Sequence, residues 1–448
     1  MEVQLPESPP ISSFRAPLPS RLGRLRQRFP SRSTLGLYLA ALGPGLISAL
    51  AGNDAGGIAT YSYAGANYGY RMLPLLLAIT FVLALVQEMA ARMGAVTQKG
   101  LGELIREQYG VSWTLFALGV MFVANTATVV AEFAGVAAAG ELFGVSKYFS
   151  VPVAALLMWL IVSRGPFRIV ERIFLAICLI QATYIVAAFK AVSQLPDGQR
   201  WPHILSQTLV PHFKFDPPFL LLCVGVVGTT IAPWMQFFLQ SNMVDRGIKI
   251  SGYRYQKADV YLGSVVTDLV AWFIIVCTAA TLYPLVSKGL LKVESTTQIA
   301  QALSIPLGHV GTILFAAGLL AASLLAAAVL PLATAYTWCE AFGWEIGLQK
   351  TAKQAPLFYG LFSAALFIGA GVVLIPGVNP LSAMLISQNL NGMLLPVVLI
   401  FMLKLVNDKR LMQEYVNGFW SNVVAWTVVT ILIILTLILL VTSIFGIG

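Results

Sequence analysis

Runs of apolar residues recur along most of this chain, separated by short polar segments, from about residue 37 to the C-terminus. Each run has about 20 residues, the length at which a helix crosses the hydrocarbon core of a bilayer. The strict alternation of a transmembrane β-barrel strand is absent. The pattern predicts an all-α polytopic membrane protein. Its eleven predicted spans lie near residues 37–66, 72–96, 113–142, 148–163, 167–193, 217–244, 259–285, 308–340, 356–376, 381–405 and 421–445.

Two of these spans, the first and the sixth, are interrupted near their middle. Residues 51–57 read Ala-Gly-Asn-Asp-Ala-Gly-Gly, and residues 228–234 read Gly-Thr-Thr-Ile-Ala-Pro-Trp. Glycine weakens a helix, and proline lacks the backbone donor that the helix needs. The interruptions are five spans apart, so a second five-span unit is inverted relative to the first. This is typical of secondary transporters. We expect one repeat over 36–193 and the inverted repeat over 217–405.

The segments outside the repeats predict the remaining organisation and the orientation. Residues 1–35 are rich in Pro, Ser and Arg without an apolar core of signal-peptide length, and we interpret them as a flexible basic cytoplasmic tail. Residues 194–216 form an extracellular loop and residues 406–448 an additional C-terminal helix. Of the 28 Lys and Arg residues, 21 lie on the side of the N-terminus. The positive-inside rule then predicts a cell-membrane protein with a cytoplasmic N-terminus and an extracellular C-terminus.

Composition excludes the other classes of protein. The chain has 448 residues, of which 58% are hydrophobic and 10% charged, and a mean hydropathy of +0.81. Soluble, fibrous and disordered proteins need far more charge. The net charge of +9 comes from basic loops between spans, so it indicates no nucleic-acid partner. The partner is the lipid bilayer, and no obligate protein partner is evident. Four well-separated cysteines within apolar stretches are interpreted as packing residues.

Four acidic side chains well inside the spans are the first candidates for chemistry, because a carboxylate at membrane depth is costly. They are Asp54, Glu88, Glu132 and Asp268. Asp54 lies in the first interruption and is interpreted as functional. Glu132 fits either a polar relay or a helix-packing hydrogen bond, and Glu88 and Asp268 fit structural groups or the lining of a vestibule. No phosphate-binding loop and no catalytic constellation is present, so we expect neither an enzyme nor a cofactor.

Oxygen atoms dominate the groups near the interruptions. A carboxylate and free carbonyl groups suit a hard divalent cation that keeps part of its water, as magnesium does. At the sixth-span interruption, Ala232 offers no sulfur for a softer transition metal. Amide groups at membrane depth either contribute to such a site or join helices. These amides belong to Gln388, Asn389 and Asn391 in the tenth span and to Gln236 and Gln240 after the sixth-span interruption.

Three segments together resemble the natural resistance-associated macrophage protein (Nramp) family of divalent-metal transporters. Gly43-Pro44-Gly45 with 53–60 is similar to the family's first-span signature, 127–135 to its third-span motif, and 228–241 to its sixth-span motif. The resemblance covers about residues 36–445. It implies the leucine-transporter-like fold, with two inverted five-helix repeats, broken first and sixth spans and an eleventh helix.

Departures from the family pattern point to its magnesium-transporting branch. Gly57 stands where the family has its signature asparagine, and Ala232 where it has a metal-binding methionine. Trp234 replaces the histidine after the proline, and Val129 replaces a carboxylate associated with proton movement. Asp54 keeps the family's metal-binding carboxylate.

The resemblance also implies a set of residues around the transported cation. Asp54 is the charge partner, the carbonyl groups of Ala51 and Thr229 lie where the family has backbone ligands, and Gln388 closes the site. Gly57 and Ala232 set its volume. The implied set also includes Gln236, with Glu132 as a polar relay.

We therefore predict uptake of magnesium, and also of manganese, as a largely hydrated divalent cation. The membrane potential drives the uptake without proton coupling. Two alternatives stay open, namely a proton-coupled manganese or iron transporter of the same family and an amino-acid permease of the same fold.

Overall fold

Apolar runs of this length fold as helices because lipid offers no partner to an unpaired backbone group. A computed structural model describes residues 52–164, 182–212, 216–346 and 351–445, and every regular element in those ranges is a helix. The helices are α1 (Ala55–Tyr68), α2 (Leu73–Thr97), α3 (Leu101–Leu142), α4 (Lys147–Arg164), α5 (Thr183–Ser193), α6 (Trp201–Leu209), α7 (Pro217–Thr230), α8 (Pro233–Asp245), α9 (Tyr253–Thr281), α10 (Thr296–Leu307), α11 (His309–Phe342), α12 (Pro356–Leu374), α13 (Pro380–Val406) and α14 (Phe419–Phe445). Shorter helical turns lie at Gly69–Met72, Asp197–Gln199, Ile250–Gly252, Tyr283–Val286, Lys409–Met412 and Gln413–Tyr415.

The predicted all-α polytopic architecture is confirmed. Nine segments of the described ranges are long and apolar enough to cross a membrane, and one of them, Ala55–Thr97, contains both α1 and α2. Helix α5 is the described part of the predicted fifth span. The tail at 1–35, the beginning of the first span and residues 165–181 lie outside the described residues.

Helices α3 and α6 differ from the predicted spans, and α10 lies between two of them. Helix α3 begins at Leu101, well before the predicted third span, and its backbone leaves the helical conformation at Gly110, where φ is +76°. Only glycine adopts this conformation at little cost, so the helix bends there. Helix α6 lies inside the predicted loop 194–216, where the sequence indicated no element.

The two interruptions lie at the centre of the helix bundle. Helix α1 packs mainly on α9, helix α7 on α13, and α3 on both α11 and α13. The interrupted segment Pro217–Asp245 is the most deeply buried of the nine candidate spans, and α14 is the most exposed. The predicted binding region therefore lies away from the lipid-facing surface.

Glycine residues let α7 and α13 approach until their backbones touch. A Cβ atom added at Gly228 would lie 2.2 Å from the carbonyl oxygen of Gln388 and 2.2 Å from the backbone nitrogen of Gly392. A Cβ atom added at Gly392 would lie 2.2 Å from the carbonyl oxygen of Val224. This contact fixes the backbone of Gln388 beside the sixth-span interruption.

Candidate functional site

The sixth-span interruption is two residues long. Helix α7 ends at Thr230, Ile231 leaves the helical conformation, and Ala232 is extended with φ −66° and ψ 141°. Pro233 then begins α8 in its first turn, where a missing backbone donor costs nothing. The proline therefore restarts the helix, in agreement with the predicted interruption.

Asp54 ends the first-span interruption by capping α1. Its backbone is extended, and its Oδ1 atom accepts a hydrogen bond of 2.7 Å from the backbone nitrogen of Gly57. The sequence predicted that the interruption includes Gly56 and Gly57, but both glycines are in the first helical turn. The prediction was wrong at these two positions, because the Asp54 cap starts the helix immediately after itself.

A second carboxyl group meets the same end of α1. Glu132, on α3, accepts a hydrogen bond of 3.2 Å from the backbone nitrogen of Ala55 through Oε2. Asp54 and Glu132 are close enough to interact electrostatically. The backbone N–H groups and the positive dipole end of α1 favour negative charge here. Glu132 Oε1 is buried without a hydrogen-bond partner. The observed contact is a helix-packing hydrogen bond, and the relay stays a prediction.

The absent side chain of Gly57 lets oxygen atoms of the two interrupted spans come close together. A Cβ atom there would lie 2.9 Å from Thr229 Oγ1, 3.1 Å from the carbonyl oxygen of Gly52 and 3.3 Å from Asp54 Oδ1. These atoms are a hydroxyl, a carbonyl and a carboxylate oxygen. Thr229 Oγ1 is buried without a partner, so it is a further oxygen beside Gly57.

Gln388 reaches the site from α13, with its amide nitrogen towards Asp54. The Nε2 atom lies 3.5 Å from Asp54 Oδ1, and Oε1 accepts a hydrogen bond of 2.9 Å from Asn391 Nδ2. Asn391 Nδ2 also lies 2.9 Å from Thr128 Oγ1. Gly56 permits the approach, since a Cβ there would overlap Gln388 Nε2. The expected metal-facing amide oxygen of Gln388 is engaged by Asn391 in this arrangement.

Gln236 and Ala232 lie at the beginning of α8. The Nε2 atom of Gln236 donates a hydrogen bond of 3.3 Å to the carbonyl oxygen of Ala232, and its Oε1 atom is buried without a partner. The sulfur atom of the preceding residue, Met235, accepts a contact of 3.8 Å from Gln87 Nε2. The side chain of Gln236 therefore turns back to the interruption with a free amide oxygen.

The other amides named from the sequence serve helix contacts. Gln240 Nε2 donates a hydrogen bond of 2.8 Å to the carbonyl oxygen of Lys99. Asn389 Oδ1 packs beside Gly225 on α7. Ala51, whose carbonyl group the resemblance placed near the metal, lies outside the described residues.

The remaining membrane acids have different surroundings. Glu88 forms an ion pair of 3.3 Å with Arg92, which fits a structural group. Asp268 has neither oxygen in a hydrogen bond. Glu340, which sequence reasoning missed, accepts a hydrogen bond of 2.7 Å from Ser241 Oγ. The sequence could have indicated Glu340, because it is an acidic residue at the end of an apolar run.

Two further contacts that the sequence did not indicate hold the interruptions in place. Asn53 Nδ2 donates a hydrogen bond of 3.1 Å to the carbonyl oxygen of Thr267 on α9. The hydroxyl groups of Tyr61 and Thr230 share a hydrogen bond of 2.8 Å that joins α1 to the end of α7. The site is thus a small set of oxygen atoms at two adjoining helix ends, fixed by α3, α9 and α13.

Solved structures share this fold. A manganese transporter of Eremococcus coleocola, in complex with an aromatic bis-isothiourea substituted compound, superposes with a TM-score of 0.71 at 21% identity, covering 92% of this chain and 88% of that one. MhsT in complex with L-phenylalanine superposes with a TM-score of 0.51 at 17% identity, covering 93% and 100%. The predicted leucine-transporter-like fold is confirmed.

Sequence relatives cover nearly the whole chain. The divalent metal cation transporter MntH of Bacillus subtilis (strain 168) is 26% identical over 419 residues, which are 90% of this chain and 92% of that protein. MntH of Xylella fastidiosa (strain 9a5c) is 28% identical over 420 residues, covering 90% and 85%. The family model described as natural resistance-associated macrophage protein-like matches residues 45–442. The chain belongs to the Nramp family, whose members are membrane transporters and not enzymes.

Proposed function

We propose that this protein takes up magnesium, and also manganese, as a largely hydrated divalent cation. Transport takes place across the cell membrane, with the N-terminus in the cytoplasm, and the membrane potential drives it without proton coupling. Divalent cation transport is the activity named for the MntH relatives. The finer specificity is argued from the residues of the site.

The space at Gly57 is the observation that carries the proposal. Any side chain at this position would stand within 3.3 Å of Thr229 Oγ1, the Gly52 carbonyl oxygen and Asp54 Oδ1. Without one, no carbon atom separates these oxygens, and we infer that a cation and its water bind against them. Magnesium releases its water reluctantly and is usually held by one or two carboxylates plus several waters. Asp54 and the neutral oxygens around it offer that arrangement.

The chemistry of the ligands also favours a hard cation. Ala232 contributes a methyl group at the sixth-span interruption, and Met235 uses its sulfur to contact Gln87. Cys223 is likewise engaged with another sulfur atom, Met72 Sδ, at 3.9 Å. Oxygen ligands suit magnesium and manganese, whereas sulfur ligands select softer metals. Manganese is thus accepted as a second hard ion.

The membrane potential supplies enough driving force for uptake of a doubly charged ion. Moving two charges through 100 mV releases about 4.6 kcal/mol. Val129 and Trp234, which stand where the resemblance places titratable groups, bind no proton. Trp234 is buried and packs edge-to-face on Phe238 at 5.8 Å. The proposed mechanism therefore needs no second ion.

Flux in proteoliposomes tests the proposal. The wild-type protein should transport magnesium and manganese but not leucine. Asp54→Asn should abolish metal flux while the protein stays folded, because asparagine caps a helix as well as aspartate but carries no charge. Asp259→Asn is the matched control, because it neutralises a different buried carboxyl group, which lies on α9. Wild-type flux in the Asp54 variant would remove this carboxylate from the site.

A proton-coupled manganese transporter is the second candidate function, favoured by one observation. Glu132 lies beside Asp54 and has an unpartnered Oε1 atom, so it is a group near the cation that could exchange a proton. A pH-sensitive dye inside the vesicles distinguishes the two candidates. The uncoupled mechanism gives no acidification during magnesium entry, whereas the coupled mechanism gives a pH fall in proportion to metal flux.

A further inference from the structure

Asp268 is a carboxylate that the proposed mechanism has not used. It lies in the middle of α9 and is 3% exposed, and both of its carboxylate oxygens are buried without a hydrogen-bond partner. The hydroxyl of Thr80 interacts electrostatically with Asp268, but it donates its hydrogen bond to the carbonyl oxygen of Leu76 at 2.9 Å. Within the described ranges, no Lys, Arg or His forms an ion pair with Asp268.

A second unpartnered oxygen accompanies this carboxylate. Thr267, the preceding residue, is 3% exposed, and its Oγ1 atom is also buried without a hydrogen-bond partner. Buried polar groups in proteins are nearly always hydrogen-bonded, and buried charges are paired or bind metal ions. Two adjacent side chains therefore offer three oxygens for which the protein supplies no partner.

The position of these oxygens connects them to the interruption in the first span. The carbonyl group of Thr267 accepts the hydrogen bond from Asn53, the residue before Asp54. Tyr61, on α1, lies within electrostatic range of both Asp268 and Asp54. Asp268 thus borders the same region of the protein as the proposed cation site, and it approaches that region from α9.

We propose that Asp268 and Thr267 form a second binding position for the transported cation, next to the position at Asp54. The inference rests on the proposed function. A cation at this position neutralises the carboxylate that the protein leaves unpaired. While the position is empty, the Asp268 carboxylate raises the local concentration of cations beside Asp54, because a negative charge in a region shielded from solvent attracts counter-ions strongly.

The ligand count decides which class of cation this position takes. One carboxylate and one hydroxyl supply at most three of the six ligands in the octahedral shell of magnesium. Water must supply the others, so the position suits a hard cation that arrives largely hydrated. A soft metal gains nothing here, because both side chains bind through oxygen.

Asp268→Asn tests the inference, with Asp259→Asn as the matched control. Asp259 lies on the same helix and is 1% exposed, but its carboxylate accepts a hydrogen bond from Gln256 Nε2 at 2.5 Å. Both variants remove one buried charge from α9. We expect Asp268→Asn to raise the magnesium concentration for half-maximal flux by about tenfold, as for the loss of one charge-assisted contact. The flux at saturating magnesium should change less than twofold, and the control should match the wild type.

A binding measurement separates this inference from the proposed function. Manganese bound to the purified protein is counted by electron paramagnetic resonance in the Asp54→Asn background, where the principal site is disabled. Residual binding that disappears in the double variant Asp54→Asn with Asp268→Asn supports the second position. Equal binding in the single and double variants overturns it, as does an unchanged half-maximal concentration. Failure of the wild type to transport magnesium would instead overturn the proposed function.

Discussion

Gly57→Ala adds a single methyl group to the proposed cation site. The new Cβ atom would lie 2.9 Å from Thr229 Oγ1, 3.1 Å from the Gly52 carbonyl oxygen and 3.3 Å from Asp54 Oδ1, all closer than an ordinary van der Waals contact of 3.4 to 4 Å. The methyl group therefore occupies the space between these oxygens. Its volume is comparable to the ~30 Å³ of one water molecule.

We expect this variant to lose magnesium transport selectively. Losing one water that bridges the cation to the protein should weaken magnesium binding about tenfold, or ~1.4 kcal/mol. Manganese binding should weaken by less than about threefold, because manganese gives up its bound water more readily. The unfolding temperature should not rise, because these close contacts oppose the about 0.5–1 kcal/mol by which alanine is favoured over glycine in an open helix.

Competition flux in proteoliposomes and thermal unfolding in detergent measure the two effects. Gly119→Ala on α3 is the control, since a Cβ atom there meets nothing within 4 Å. It should leave transport of both metals unchanged. Magnesium flux at the wild-type level in Gly57→Ala would refute the argument that free volume at this glycine admits the hydrated ion.

Three further changes probe the driving force, the ligand chemistry and the packing. Imposing an inside-negative potential should accelerate magnesium entry, and a flux that ignores the potential would contradict uncoupled transport of a charged ion. The double variant Gly57→Asn with Ala232→Met adds an amide and a thioether to the site. Magnesium flux should fall steeply, whereas manganese or cadmium binding, measured by calorimetry, should be kept or strengthened. Intact magnesium transport in this variant would disprove the proposed role of the ligands. Gly228→Ala places a Cβ atom 2.2 Å from backbone atoms and should destabilise the protein by ~1–3 kcal/mol. Gly371→Ala is the control, because a Cβ atom there meets nothing within 4 Å. Equal melting temperatures of the two variants would contradict the prediction.

Much of the fold could be predicted because the bilayer restricts the possible structures. An apolar run of about 20 residues has little choice except a helix. Pro233 also gave a reliable boundary, since it begins α8 where the interruption was expected. The bend at Gly110 could not be predicted in the same way, because a single glycine in a sequence does not indicate whether its φ is positive.

The site was less accessible to sequence reasoning, since its geometry depends on contacts between distant spans. Asp54 was identified from its neighbours, but its role as a helix cap moved Gly56 and Gly57 into α1. The two glycines provide volume for Gln388 and for the space near Thr229. The direction of the Gln388 amide depends on Asn391, and no local pattern encodes that hydrogen bond.

The capping bond of Asp54 has a consequence for how firmly a cation is held. Oδ1 already accepts a hydrogen bond of 2.7 Å from Gly57, so a metal ion shares this carboxylate with the end of α1. Within the described ranges, no group of three or more His, Cys, Asp or Glu side chains surrounds the ion to compensate. We expect an ion held in this way to dissociate quickly. Such a site favours rapid release over tight capture, which suits a transporter.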